Sequence, residues 1–171
     1  ANALDSLISA ASQLTQYPDI AFALVGQGKL KANLQNQITK LGLENIYFVD
    51  AIPKAQVQSV LQTFDVCYIG LTKDPLFRFG VSPNKLFDYL YSGKPIIYAI
   101  DSGLYTPVAD AQAGIQIEPE NAQQIVKAVL EMYNMTTEQR IEMGRNGHKE
   151  AVNSYEYGSL TKKLTSILFG E

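Results

Sequence analysis

Residues 77–99 read FRFGVSPNKLFDYLYSGKPIIYA, and the rest of the chain is organised around them. Ser82 followed by Pro83 predicts a helix start. Ser82 would cap by its side chain, and Pro83 needs no N–H and already has helical φ. The helix is expected over Asn84–Ser92, stopped by Gly93 with Pro95 just beyond. Leu86, Tyr89 and Leu90 fall at i, i+3 and i+4 and form its buried stripe. A short strand, Pro95–Ala99, follows. Lys85 and Asp88 lie three apart and project from one side of the helix. Lys85 sits in the first turn, where the macrodipole disfavours a cation. A phosphate held by free N–H groups, Ser82 and Lys85 would offset that cost. Asp88, one turn further in, could then accept hydrogen bonds from sugar hydroxyls. The plainer alternative is a surface helix with an ordinary Lys–Asp pair.

Outward from this stretch, strand and helix alternate. Towards the N-terminus lie a loop over Thr72–Val81, a strand over Asp65–Gly70 and a helix over Pro53–Phe64. Before them come a strand over Ile46–Val49, a helix over Lys29–Leu41 closed by Gly42, and a strand over Ile20–Val25. The last is a continuous apolar run, as expected of a strand covered on both faces. The chain opens on a helix over Leu4–Leu14. Towards the C-terminus, Asp101-Ser102-Gly103 turns into a short helix reaching Gln112, and Gly114–Ile117 is a fifth strand. Helices over Asn121–Tyr133, Thr137–Asn153 (capped by Thr136 or Thr137) and Gly158–Phe169 complete the chain. This is the pattern of an open, Rossmann-like, doubly wound parallel sheet in three α/β/α layers. Such a sheet normally opens on a strand, so a first strand upstream of Ala1 is expected to be missing. Ligands of such sheets bind at the carboxyl ends of the strands. The candidate loops are therefore Gly26–Lys29, Asp50–Pro53, Gly70–Pro83 and Ala99–Gly103, on one rim.

The 171 residues suit one domain, and 46% hydrophobic residues can supply its core. The net charge of -3 argues against a general nucleic-acid binder. No apolar run approaches the roughly 20 residues that span a bilayer. The single cysteine, Cys67, lies in an apolar run and reads as a core thiol. The only histidine, His148, lies in a polar helical segment, which disfavours a Ser-His-Asp or Cys-His hydrolase.

The loops differ in what they offer. Gly26-Gln27-Gly28-Lys29 joins a strand to a helix, lets backbone approach a ligand, and brings a cation for phosphate. It is not the dinucleotide fingerprint, because Lys31 stands where the third glycine belongs. Val49-Asp50-Ala51-Ile52-Pro53 presents small apolar residues and free backbone groups, which suits a flat base. Asp101–Gly103 and Glu118–Glu120 read as structural turns.

In this order the segments resemble the C-terminal, donor-binding domain of GT-B retaining glycosyltransferases, glycosyltransferase family 4. ALVGQGKLKANL is similar to the family's VG-x-G strand-turn. YFVDAIPKAQVQSVL is similar to its V-x-F-x-G-x-(V/I)-P segment. SPNKLFDYLYSGKPIIYA resembles the region with Glu, seven residues, Glu, then Ala-x-G-x-P-V. Tyr155-Glu156-Tyr157 resembles the Phe-Ser-Trp before the last helix. The SPNK form is similar to a bacterial subgroup that builds cell-surface polysaccharides, often on a lipid-linked acceptor.

The resemblance implies a donor diphosphate on Gly26, Gly28, Ser82, Asn84 and Lys85, and ribose on Asp88. The base would lie on Val49, Asp50, Ala51 and Ile52, and the donor sugar over Gly80 and Val81. It implies a nucleotide-sugar donor, with UDP as the first choice, no other cofactor and no obligatory metal. Three departures stand out. Asp88 replaces the second glutamate, Gly80 stands where the first belongs, and Asp50 replaces a glycine. The Arg and Lys that clamp the diphosphate, and the acceptor-binding N-terminal domain, are expected at or upstream of residue 1. The domain alone is thus expected to be inactive. A cytoplasmic location is expected, with any membrane association carried by the other half. Two other readings stay open: a nucleotide-sugar epimerase of similar fold, and a non-catalytic nucleotide-binding or interaction module.

Overall fold

The structure, a computed structural model, describes residues 2–170. Helix α1 (Leu4–Ser12) leads to strand β1 (Phe22–Val25), helix α2 (Lys31–Leu41) and strand β2 (Ile46–Val49). Helix α3 (Val57–Leu61), strand β3 (Cys67–Gly70), helix α4 (Asn84–Ser92) and strand β4 (Ile96–Ala99) follow. The chain ends with helix α5 (Pro107–Asp110), strand β5 (Gly114–Ile117), and helices α6 (Ala122–Asn134), α7 (Thr137–Glu150) and α8 (Tyr157–Phe169). The expected α/β alternation is observed, and every strand pair is parallel.

Several helices are shorter than their apolar periodicity predicts, for local reasons. Pro53 has ψ 143°, so the helix expected from Pro53 begins instead as a 3-10 turn, Lys54–Gln56. The helix expected through Asn153 gives way at Ala151 to a π turn, Ala151–Tyr155. Thr136 caps α7 in a reciprocal box with Gln139.

The strands pair in two ladders rather than one continuous sheet. β1 lies beside β2, with Phe22 opposite Ile46 and Val25 opposite Val49. β4 lies between β3 and β5, with Ile96 opposite Cys67 and Gly114. No ladder joins β1 to β3 among the described residues. Side chains bridge the two ladders: Leu7 and Ala10 of α1 and Ile125 of α6 share a cluster with Phe22, Leu24, Tyr68 and Ile117.

On the other face, Leu61 of α3, Leu86 and Leu90 of α4 and Val108 of α5 cover Ile69, Ile96 and Tyr98. All four β4 residues are buried, as a continuous apolar run predicts. β1 departs from that expectation. Its Phe22/Leu24 face meets α1 and α2, while Ala23 and Val25 are exposed because no helix among the described residues covers their side. Tyr47 and Val49 of β2 are exposed for the same reason.

Helix α7 holds α4 from outside. An added Cβ on Gly144 would lie 1.8 Å from the Gly93 carbonyl oxygen, a contact only glycine allows. Arg140 ties the end of α6 to α7 by donating to the Met132 and Met135 carbonyls at 3.0 and 2.7 Å.

Two outcomes follow from this packing. Gly144→Ala gains up to about 1 kcal/mol of helix propensity but meets backbone, and overpacking costs about 1–3 kcal/mol. It should lower the chemical-denaturation midpoint, and an unchanged or raised midpoint would contradict the close approach. Burial pushes the Cys67 thiol up to about 12, against an ordinary value of 9.0. The folded state therefore disfavours the thiolate, and stability should fall as pH rises above about 9. At pH 8, thiol reagents should label Cys67 far more slowly in the native protein than in denaturant. Equal rates would show that the thiol is accessible.

Candidate functional site

The parallel strands bring the loops after β1, β2, β3 and β4 to one rim. Gly26 has φ 137°, a conformation that side-chain-bearing residues rarely adopt. A Cβ on Gly28 would meet nothing within 4 Å, so the backbone there borders open space. Beyond this turn the Lys31 Nζ donates to Asp50 Oδ1 at 2.8 Å. That hydrogen bond and the Lys31 charge hold the Asp50 carboxyl below the usual carboxylate range. Val49, Asp50 and Ala51 are exposed and Ile52 is half-buried, so the turn presents apolar and main-chain groups outward.

The start of α4 differs from the sequence expectation. Pro83 itself is the N-cap, with φ -68° and ψ 133°, and no side chain caps the helix. Ser82 is one residue too early to be the cap, because Pro83 is still extended. The Pro83 carbonyl accepts from Leu86 N at 2.9 Å, which leaves the N–H groups of Asn84 and Lys85 ahead of the first turn uncapped. The Asn84 and Lys85 side chains are exposed. Lys85 has no hydrogen-bond or ion-pair partner among the described residues.

Asp88 does not pair with Lys85. Lys54 Nζ donates to both its oxygens, at 2.8 and 2.7 Å, and the Asp88 side chain is 30% exposed. The Asp88 carbonyl also accepts from Gln58 Nε2 at 3.0 Å. Gly80, where the resemblance would place a glutamate, has φ 106°. A glutamate would be strained there, so the departure belongs to the backbone as well as to the side chain. Val81 packs partly against the core.

The two ion pairs link the segments that follow β1, β2 and β3 in series. Lys31–Asp50 ties the start of α2 to the β2 turn, and Lys54–Asp88 ties the 3-10 turn after β2 to α4. A third tie runs from Lys73 N to Glu120 Oε2 at 2.6 Å, joining the β3 loop to the turn after β5. Ser102 does not join the rim as a polar group. It is 1% exposed, and its hydroxyl donates to the Tyr105 carbonyl. Lys54 and the pairing role of Lys31 were not apparent in the sequence. A lysine just after a strand-end proline was visible, but its partner lies 34 residues away.

Residues 2–150 match the family described as glycosyl transferases group 1. The chain belongs to that family. No curated protein matches it at a significant level. Among solved structures, it is similar to TarM of S. aureus, in a variant solved with Fondaparinux, alpha-GlcNAc-glycerol and UDP. The TM-score is 0.79 at 18% identity, over 97% of this chain and 32% of that one. HepE of Anabaena, in complex with UDP-glucose, gives 0.76 at 19% identity, over 99% and 46%. The C-terminal domain of LpcC from Francisella tularensis, a glycosyl transferase group 1 family protein, gives 0.71 at 22%, over 91% and 80%. The chain thus spans a third to a half of the length of TarM and HepE. These likenesses carry the GT-B α/β architecture that the sequence motifs imply.

The exposed Lys54–Asp88 pair is a positioning contact more than a source of stability. Lys54→Ala and Asp88→Ala should each change unfolding free energy little, with a double-mutant coupling of about 1 kcal/mol or less. A coupling of several kcal/mol, read by chemical denaturation, would make the pair a structural core element.

Proposed function

We propose that this domain binds the nucleotide-sugar donor of a retaining glycosyltransferase in polysaccharide or glycolipid synthesis, with a UDP-sugar as the donor. The observation that carries the reading is the start of α4. An uncapped helix N-terminus, a cation without a partner and a carboxylate one turn further in occur together on a strand-end rim. The diphosphate would rest on the N–H groups at Ser82, Asn84 and Lys85 and on the Gly26–Gly28 turn. Asp88 would take the ribose hydroxyls, exchanging its Lys54 contact for them. Val49, Asp50, Ala51 and Ile52 would carry the base, and the donor sugar would lie over Gly80 and Val81.

In transfer, negative charge develops on the leaving diphosphate. A preorganised helix end and nearby cations stabilise that charge without reorganising. Lys29, Lys73 and Lys85 are the rim lysines whose side chains hold no ion pair among the described residues, so their charge is available. Family membership and the UDP and UDP-glucose named for TarM and HepE support the choice of donor. An N-terminal domain would bring the saccharide or lipid-linked acceptor. The break between the two ladders supports reading a further parallel strand between β1 and β3.

Calorimetry with UDP, GDP, ADP and uridine on this chain and on Lys85→Ala tests the reading. A charge-assisted contact to phosphate should make UDP binding about tenfold weaker or more in the variant, with uridine binding unchanged. Removing a cation from the first turn should leave the ligand-free melting temperature equal or slightly higher. If no nucleoside diphosphate binds, or Lys85→Ala leaves UDP affinity intact, the assignment of α4 fails.

A further inference from the structure

A shallow, open cleft of about 430 Å³ lies at the end of the sheet opposite the rim, between the C-terminus of α4 and the outer helix α7. Its lining includes Lys94, Arg145, His148 and Lys149, and among the described residues no carboxylate lines it. That sign is unexpected in a chain of net charge -3. The glycine contact described above creates the arrangement. It lets α7 lie directly on Gly93, so that Arg145, His148 and Lys149, on consecutive turns of one helix face, stand beside Lys94.

The cations are not consumed by the protein. Lys94 and Lys149 have no ion-pair partner among the described residues. Arg145 reaches only Glu142, through one 3.5 Å contact, with both side chains mostly exposed. The negative helix ends nearby favour cations in general. Two of the carbonyls there already have donors: Ser92 accepts from Gln62 Nε2 at 2.7 Å, and Tyr91 accepts from His148 Nδ1 at 2.6 Å. The latter bond, with the imidazole set against the Tyr91 ring at 4.9 Å, fixes the histidine in the wall. Three cationic side chains therefore share an open cleft with donor capacity left over.

We propose that this cleft binds a phosphate-bearing anion through Lys94, Arg145 and Lys149, with His148 as a fixed wall. Arg145 supplies a planar fork suited to two phosphate oxygens, and the lysines supply point charges. The same chemistry is offered by a soluble phosphate and by a phospholipid headgroup.

The test titrates the whole chain with inorganic pyrophosphate at constant ionic strength, using amide NMR shifts to locate binding. The double variant R145Q/K149Q and, separately, Lys85→Ala are run beside it. Shifts should centre on Gly93, Lys94 and residues 141–149, survive Lys85→Ala, and weaken about tenfold or more in R145Q/K149Q. Sedimentation with phosphatidylglycerol vesicles, against phosphatidylcholine, then separates the sources. Retention on the former that R145Q/K149Q abolishes assigns a headgroup, while pyrophosphate binding without retention assigns a soluble ligand. Chloride producing the same shifts, or R145Q/K149Q binding as well as the parent chain while its spectrum shows it folded, would overturn the proposal.

Discussion

Burial of β4 on both faces is the constraint on which the structure depends. Ile96, Ile97, Tyr98 and Ala99 are at most 2% exposed, so their main-chain groups must be satisfied within the sheet. β3 and β5 do that, one on each side. Because all three run parallel, each connection has to cross over a face, and the crossing segments become the helices that complete the burial. The same connectivity sends the loops after the strands to one rim. Position of the candidate site is thus a by-product of covering β4.

The rim and the opposite end of the sheet then diverge in electrostatics. At the rim, Asp50 and Asp88 each hold a lysine from a neighbouring segment. Exposed pairs of this kind add little stability, and their effect is to hold side chains in register across loops. At the far end the lysines and arginine gather without carboxylates in the cavity wall. α4 connects the two regions: its N-terminus is uncapped at the rim, and its C-terminus, closed by Gly93, lies beneath α7.

Among the described residues, apolar side chains are exposed in two regions. The Val25, Tyr47 and Val49 side of the β1–β2 ladder is one. The other is α8, in which Tyr157, Ile167, Leu168 and Phe169 are 63–89% exposed and no residue is buried.

Alternation of apolar strands with amphipathic helices, and the Gly and Pro residues between them, determined the α/β class, the five strands and most helix positions. Those signals are local: hydrophobic period, caps and breakers act within one or two turns. The uncapped α4 start was nearly legible, missed by one residue because Pro83 can end an extended segment as readily as begin a helix. Only the tertiary structure decided the rest. β1 reads as doubly covered from its composition, yet burial depends on which helices lie over it. Asp88 has its closest charged sequence neighbour in Lys85, yet it pairs with Lys54, because β2 and α4 end side by side. The basic cleft beside Gly93 likewise arises from contacts between residues tens of positions apart, which no local pattern encodes.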